Sequence, residues 1–152
     1  MNYWLLKSEP DCYSISDLRK DGTTAWGGIR NYQARNCLRD EMAKGDLCLF
    51  YHSSAKPMAA VGICEVVKEG YPDETQFDPA DDHFDIDSEM DKPRWYAVDI
   101  AFRKIFHSPV LLSQMKNNSK LADMKLLSRG TRLSVLPLAK KEFDEIVRLG
   151  NG

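Results

Sequence analysis

Residues 26–39 combine a flat aromatic surface with side chains that form directed hydrogen bonds. The segment holds a tryptophan before two glycines, followed by amides and guanidiniums: Trp26, Gly27, Gly28, Arg30, Asn31, Gln33 and Arg35. An indole offers a face for stacking, amides and guanidiniums pair with polar edges, and glycines permit close backbone approach. Together these groups predict a pocket for an unpaired nucleobase. The alternative is a core tryptophan followed by a solvated helix.

Further candidates lie at the end of the first predicted strand and at the start of the next helix. Lys7 and Ser8 come where the strand 2–7 ends. Ser8 is predicted to bond a base or a phosphate, and the alternative is an ordinary turn serine beside a surface lysine. Asn31 either reads a base edge or caps the helix that follows it. Tyr32 is either a second wall of an aromatic cage or a packing residue of that helix.

Tyr51, His52 and Ser53 finish the predicted strand 47–53 and are the next candidates. A neutral imidazole both donates and accepts, which suits an amide-like base edge. Catalysis by a His-Ser pair is disfavoured because neighbours in a strand point to opposite faces, and no Gly-x-Ser-x-Gly motif is present. Trp95 faces away from the apolar stripe of its strand, so it either clamps the ligand or anchors a helix on the sheet.

Three arginines, Arg30, Arg35 and Arg132, are predicted to contact phosphates, with ordinary surface salt bridges as the alternative. The formal net charge of −2 argues against a protein that coats nucleic acid by bulk electrostatics. The charges are unevenly distributed, since residues 71–100 hold ten acidic and two basic side chains, whereas residues 101–152 hold ten basic and four acidic ones. A basic rim around one site is therefore compatible with the composition.

The acidic block between residues 73 and 91 is predicted to be a solvated loop folded over the domain. Its carboxylates raise the question of calcium: Asp81, Asp82, Asp85, Asp87, Glu89 and Asp91. An EF-hand needs a central glycine and a glutamate at its twelfth position, and this block contains no glycine. The pattern therefore predicts neither a metal nor a cofactor.

Length and composition predict a single domain. With 152 residues and 43% hydrophobic content, the chain can bury a core without staples. No apolar run is long enough to span a membrane, and the first residues lack the features of a secretion signal. The four cysteines are scattered, which favours reduced thiols. We expect a monomer without membrane association, cytoplasmic in a bacterium or nuclear in a eukaryote.

The hydrophobic pattern predicts strands with short helices between them. The predicted strands are 2–7, 47–53, 58–69, 94–107 and 132–136, and the predicted helices are 14–20, 32–43, 110–116, 120–127 and 138–149. Leu47, Leu49 and Tyr51 share one face of their strand, and Cys48, Phe50 and His52 share the other. Apolar residues on both faces indicate a central strand that is packed on two sides. The predicted fold class is an α+β, barrel-like single domain over residues 1–152.

At the level of motifs, the chain resembles the EVE domain family over nearly its whole length. The matching segments, in order, are Lys7-Ser8-Glu9-Pro10, Trp26-Gly27-Gly28-Ile29-Arg30-Asn31-Tyr32-Gln33-Ala34-Arg35-Asn36, Gly45-Asp46, Phe50-Tyr51-His52-Ser53, Tyr71-Pro72-Asp73, Thr75-Gln76-Phe77-Asp78, Pro93-Arg94-Trp95 and Arg132-Leu133-Ser134-Val135. The resemblance implies a PUA-like β-barrel flanked by short helices, related to YTH domains. It also implies a reader of a modified base in DNA or RNA, either 5-modified cytosine or methylated adenine. Gly28-Ile29 departs slightly from the usual Gly-Val.

Three functions are compatible with these residues, and one is favoured. The first is a non-enzymatic module that reads a modified base in an aromatic pocket. The second is an enzyme acting on a nucleotide or a nucleic-acid base, with His52 or a loop carboxylate as base. The third is a protein-interaction adaptor, which leaves the Trp26 segment unexplained. The chain has neither a zinc-deaminase pattern nor a phosphate loop, which favours the first function.

Overall fold

The computed structural model describes residues 1–128 and 133–151, and these residues form one sheet flanked by short helices. The strands are β1 (Tyr3–Ser8), β2 (Thr23–Trp26), β3 (Leu47–His52), β4 (Ala59–Pro72), β5 (Tyr96–Leu111) and β6 (Val135–Leu138). They lie in the order β2-β5-β4-β3-β1-β6, and only the β1–β3 pair is parallel. The α+β prediction is confirmed. The expected barrel is not closed, because β2 and β6 are the two edges of this sheet.

Four short α-helices accompany the sheet in the described part of the chain. They are α1 (Ile15–Asp21), α2 (Tyr32–Asn36), α3 (Leu112–Lys116) and α4 (Lys140–Asn151). A π-helical turn, Cys37–Glu41, continues α2, and 3₁₀ turns occupy Glu74–Phe77, Ser119–Leu121 and Lys125–Leu127. The predicted start of α1 is confirmed: the Ser14 hydroxyl accepts from the Asp17 amide, and the Asp17 carboxylate accepts from the Ser14 amide.

Several predicted boundaries are wrong for identifiable reasons. Strand β2 was not expected, because its Thr-Thr-Ala-Trp run is too short to show alternation and depends on pairing with β5. The predicted helix 110–116 begins later because β5 extends to Leu111, and the predicted helix 120–127 is a pair of 3₁₀ turns. The last helix passes through Gly150, where a Cβ would come within 2.5 Å of the Phe106 ring. That glycine serves close packing, not helix termination.

Apolar side chains on the two faces of the sheet form two cores. One contains Leu6, Cys48 and Phe50 and is covered by α1 and α2, while the other contains Leu49 and Tyr51 and is covered by α3 and α4. Strand β3 is therefore buried on both faces, as its apolar pattern predicts. The two clusters lie on opposite faces of one six-stranded sheet.

Asp46 ties the first strand to the turn before β3. Its carboxylate is buried and accepts from the Trp4 indole N–H, the Asn2 amide and the Ala43 amide at 2.9–3.0 Å. A carboxylate can satisfy these donors together because both oxygens accept. This contact gives the Gly45-Asp46 motif a structural purpose.

Replacing Asp46 by asparagine is expected to lower the free energy of unfolding by about 1–3 kcal/mol, because an amide leaves one of the buried donors without an acceptor. Urea unfolding followed by tryptophan fluorescence measures this. The matched control is Asp123→Asn, at an exposed position, where we expect little change. Equal stability of the two variants would contradict the assigned role of Asp46.

Candidate functional site

Trp26 lies at the end of β2 and is half-buried in a row of aromatic rings. Its ring centroid is 6.2 Å from that of Tyr13 and 5.6 Å from that of Phe50, both in edge-to-face geometry. Phe50 in turn contacts His52 edge-on at 5.8 Å. Edge-to-face contacts of this kind orient a ring as well as bury it. The indole is thus held in a defined position while part of it stays accessible to solvent.

Ser8 and His52 meet on the same face of the sheet as Trp26. The parallel register of β1 and β3 places Ser8 opposite His52, and the Ser53 amide donates to the Ser8 carbonyl at 2.9 Å. The Ser8 hydroxyl donates to the Tyr13 carbonyl. These bonds join the end of β1, the end of β3 and the segment before α1 beside the tryptophan.

The tautomer of His52 follows from its contact with α1. The Ile15 amide donates to Nε2 of His52 at 3.1 Å, so the proton of the neutral ring is on Nδ1. Burial lowers the pKa of His52 below its ordinary value near 6.5. The ring is therefore neutral at pH 7 and has one remaining polar group, an N–H donor.

Tyr51 and Lys7 lie on the opposite face of the sheet. They are register partners, and the Tyr51 side chain is buried in the core beneath α3 and α4. Burial raises the pKa of Tyr51 and lowers that of Lys7. Tyr51 is thus a packing residue, separated from Trp26 by the alternation of the strand, and only Lys7 keeps a partly exposed polar end.

The two glycines after Trp26 are required by the protein's own acidic loop. The Gly28 amide, at φ +72°, donates to the Asp73 carboxylate at 2.6 Å. A Cβ on Gly27 would lie 2.7 Å from that carboxylate, and one on Gly28 would lie 2.8 Å from the His83 ring. The close approach predicted at these glycines is therefore made by residues of the same chain.

Asp73 is the buried acceptor that receives this turn. Its carboxylate also accepts from the Thr75 amide and hydroxyl and from Arg30. Burial by itself raises the pKa of Asp73, but the hydrogen bonds from Gly28, Thr75 and Arg30 outweigh burial and hold the pKa below its usual value. A permanent negative charge thus lies directly behind the glycine turn.

Arg30 uses every N–H of its guanidinium inside the molecule. It donates to the carbonyls of Ile29 and His83, to the Thr75 hydroxyl and to the Asp73 carboxylate, at 2.7–3.2 Å. A guanidinium whose donors are all engaged has none to offer a phosphate. The structure therefore gives Arg30 the task of binding the acidic loop to the glycine turn.

Tyr32 and Trp95 form a separate aromatic stack. Their centroids are 4.8 Å apart, with ring planes inclined at 28°. The guanidinium of Arg35 lies over the Tyr32 ring, 4.9 Å from its centroid. The Trp95 indole N–H donates to Asp85 at 2.6 Å, and only 6% of the residue is exposed. Of the two roles proposed for Trp95, this geometry matches anchoring of a helix.

Asn31, Arg35 and Arg132 complete the predicted set. Asn31 caps α2 because its side-chain oxygen accepts from the Ala34 amide at 3.0 Å. The side-chain NH2 group takes no part in that hydrogen bond, and the residue is exposed. Arg35 donates to the Arg94 carbonyl and the Asn36 side chain. Arg132 lies outside the described residues, so its predicted phosphate contact stays a prediction.

Gln76 was missed as an organising residue, although it stands in one of the motifs of the resemblance. It is fully buried, its amide nitrogen donates to the carbonyls of Asp73 and Trp95, and its oxygen accepts from the amides of Arg94 and Trp95. Gln76 therefore joins the two ends of the acidic loop, directly after β4 and directly before β5. A buried glutamine cannot be told from an exposed one by sequence pattern alone.

Three further features concern metal ligands, membrane spans and cysteines. Across residues 1–128 and 133–151, no group of three or more His, Cys, Asp or Glu side chains is arranged to hold a metal ion. No helix in the same residues is long and apolar enough to cross a membrane. All four cysteines are free, and three of them are buried.

Comparison with known sequences identifies relatives over almost the entire chain. The family model described as EVE domain matches residues 2–149. Thymocyte nuclear protein 1 from Gallus gallus is 42% identical, in an alignment that covers 97% of this chain and 68% of the relative.

Solved structures also resemble this chain over almost its entire length. The human THYN1 protein, in complex with 5-methylcytosine containing DNA, is 37% identical, with a TM-score of 0.93 over 100% of this chain and 99% of that one. A hypothetical protein from Leishmania major is 40% identical, with a TM-score of 0.93 over 99% of this chain and 94% of that one.

Arg30→Gln is expected to lower the free energy of unfolding by about 2–3 kcal/mol, because it removes charge-assisted hydrogen bonds and leaves buried Asp73 without its cation. Chemical unfolding measures this. Arg39→Gln is the matched control, since Arg39 forms an exposed pair with Asp40 and should matter little. If the two variants are equally stable, Arg30 is not the tie between loop and turn.

His52 is expected to make stability depend on pH. The pKa of His52 is lowered in the folded protein, so as the pH falls the unfolded chain binds a proton before the folded chain does. The stability that depends on the neutral ring is therefore fully present above about pH 6.5 and is lost as the pH falls. In His52→Gln, whose side-chain oxygen can still accept from Ile15, the loss between about pH 7 and 5 should be smaller. Unfolding measured across this range tests it, and parallel curves for the two proteins would contradict the lowered pKa of His52.

Proposed function

The chain belongs to the EVE domain family, and from that premise we propose that it binds DNA carrying a modified base, with 5-methylcytosine as the first candidate. The observation that carries the proposal is the likeness to the human THYN1 protein in complex with 5-methylcytosine containing DNA, which extends over the whole chain. RNA and methylated adenine are the alternatives that the binding experiment compares.

Trp26 is proposed as the surface on which the extruded base stacks. Its half-exposed indole supports this role, because a buried core tryptophan offers no face to a ligand. The edge contacts with Tyr13 and Phe50 hold the ring in place before a ligand arrives, which reduces the entropy lost on binding. Stacking on a fixed aromatic ring is tolerant of base identity, so discrimination requires polar neighbours.

His52 and Ser53 are proposed to read the edge of that base. With Nε2 occupied by the Ile15 amide, His52 has only an N–H donor left, which suits an acceptor on the base such as the ring nitrogen or carbonyl of cytosine. Ser8 is proposed to shape the wall of the pocket, since its hydroxyl proton is already used. Asn31 supplies an exposed amide beside the glycine turn.

Phosphate contacts are proposed for Lys7, Arg35 and Arg132, which leaves out Arg30. Lys7 lies on the face of the sheet opposite Trp26, and it is proposed because β1 ends beside it and its long side chain is partly exposed. Arg35 keeps donors beyond the two bonds it makes inside the chain. Cations at the rim position a strand without reading its sequence, whereas the pocket carries the preference for the modified base.

We propose no chemical step on the bound base. The nitrogen through which His52 would act as a base, Nε2, already accepts a backbone hydrogen bond at 3.1 Å. Ser53 follows His52 along the chain, and its backbone amide donates to the Ser8 carbonyl of β1. The two residues therefore do not form a pair of nucleophile and base. These contacts support a binding module over the enzyme alternative.

Trp26→Ala is expected to weaken binding of a 5-methylcytosine oligonucleotide by about tenfold to a hundredfold, because base stacking on an aromatic ring contributes about 1–3 kcal/mol. Fluorescence anisotropy with single-stranded and duplex oligonucleotides, modified and plain, measures this. Trp26→Phe should keep most of the affinity, and thermal unfolding must show that both variants fold. A folded Trp26→Ala protein that still prefers the modified base would place the pocket elsewhere.

Arg35→Gln serves as the contrasting variant in the same assay. It should weaken modified and plain oligonucleotides alike and reduce the slope of log affinity against log salt by about one. A selective loss of the modified oligonucleotide in Arg35→Gln would assign the base-reading role to this arginine.

A further inference from the structure

The acidic loop has an apolar groove on its outer side. Its cavity of about 830 Å³ is lined by a mixture of rings, prolines, a methionine and carboxylates: Tyr71, Pro72, Glu74, Phe77, Asp78, Pro79 and Met90. Met90 is 81% exposed, and Phe84 and Ile86 of the same loop are exposed as well. Single exposed apolar residues are ordinary, but a groove lined by rings and prolines beside an almost fully exposed methionine indicates a surface for a partner.

The loop that carries this groove is strongly negative, and two of its carboxylates, Glu74 and Asp78, line the groove itself. Several exposed carboxylates of the loop have no hydrogen bond or ion pair with any described residue: Glu74, Asp82, Asp87, Glu89 and Asp91. Unpaired carboxylates at this density repel phosphate, so a nucleic acid is a poor occupant. A cationic partner gains from the same charges, both in its rate of encounter and in its choice of site.

The loop is preformed and is not a loose acidic tail. Gln76 joins the two ends of the loop, Arg30 binds the His83 carbonyl, and Asp85 accepts from the Trp95 indole. A surface held in this way loses little conformational entropy on binding. The groove can therefore select a side chain by shape in addition to attracting charge.

A second, smaller cavity adjoins the groove and shares Tyr71 and Glu74 with it. Its volume is about 440 Å³, and Asp81 and the Gly27-Gly28 backbone also line it. Lys68 places its ammonium nitrogen 4.3 Å from the centroid of the Tyr71 ring, so this ring already accepts a cation. An aromatic wall with carboxylates beside it suits a lysine or arginine side chain.

We propose that this face docks a basic segment of a partner protein. One apolar side chain of the segment occupies the larger cavity, and a neighbouring lysine or arginine enters the smaller one. The groove lies on the loop side of the glycine turn, so this inference does not rest on the proposed binding of a modified base. The proposal gives a binding role to carboxylates that make no hydrogen bond within the loop.

The test is an NMR titration of the ¹⁵N-labelled full chain with two peptides, Lys-Arg-Leu-Lys-Arg and Lys-Arg-Gly-Lys-Arg, and with spermine. We expect the leucine peptide to bind about tenfold more tightly than the glycine peptide, because only leucine fills the groove. Its shift changes should be confined to residues 71–91 and to the glycine turn.

Matched variants separate the apolar and the charged contributions. Met90→Ser should weaken the leucine peptide by about threefold to tenfold and leave the glycine peptide unchanged. Ile86→Ser, at an equally exposed residue that does not line the cavity, is its control. The double variant Glu74→Gln, Asp78→Asn should weaken both peptides about fivefold, whereas Asp123→Asn should have no effect.

Three results would overturn the proposal. Equal affinity for the two peptides and for spermine would mean that the loop binds any cation and does not select an apolar side chain. Shift changes spread beyond the groove would remove the apolar anchor. Self-association in analytical ultracentrifugation that the double variant abolishes would make the occupant a second copy of this chain, since residues 101–152 carry ten basic side chains.

Discussion

The buried carboxylate of Asp73 is the interaction on which the candidate site depends. It accepts from the glycine turn after Trp26, from Thr75 at the start of the acidic loop and from the guanidinium of Arg30. Removing a carboxylate from water is favourable only when its oxygens are fully paired, and these donors achieve that. The direction in which the chain leaves β2 therefore follows from the position of one side chain in the loop.

That arrangement divides the molecule by charge. The proposed base pocket, with Trp26, Ser8 and His52, lies on the sheet side of the glycine turn, and the rim proposed for phosphates is basic. On the loop side, Glu74 and Asp78 line an apolar groove within the acidic loop. Because the net charge is only −2, we expect the local distribution of charge, and not the total, to determine which partner each proposed face attracts.

The fold was largely predictable where local pattern decides it. Five of the strands were predicted near their observed positions, since alternation and apolar runs are local signals. Strand β2 and the π-helical turn Cys37–Glu41 were not, because each depends on what packs against it. Closure of the sheet was wrongly expected. Whether the two edge strands pair depends on where the whole folded chain places them, and no local pattern in either strand reports this.

By itself the sequence determined which groups are available: a tryptophan on a glycine turn, planar donors after it, an acidic block and a neutral histidine at a strand end. Tertiary structure decided their use. A guanidinium serves a phosphate or internal acceptors according to what lies within reach, and three of the four residues that accept from Arg30 are more than forty positions away. Tyr51 and Trp95 became packing and anchoring residues for the same reason: burial and partners belong to the folded chain, not to the residue type.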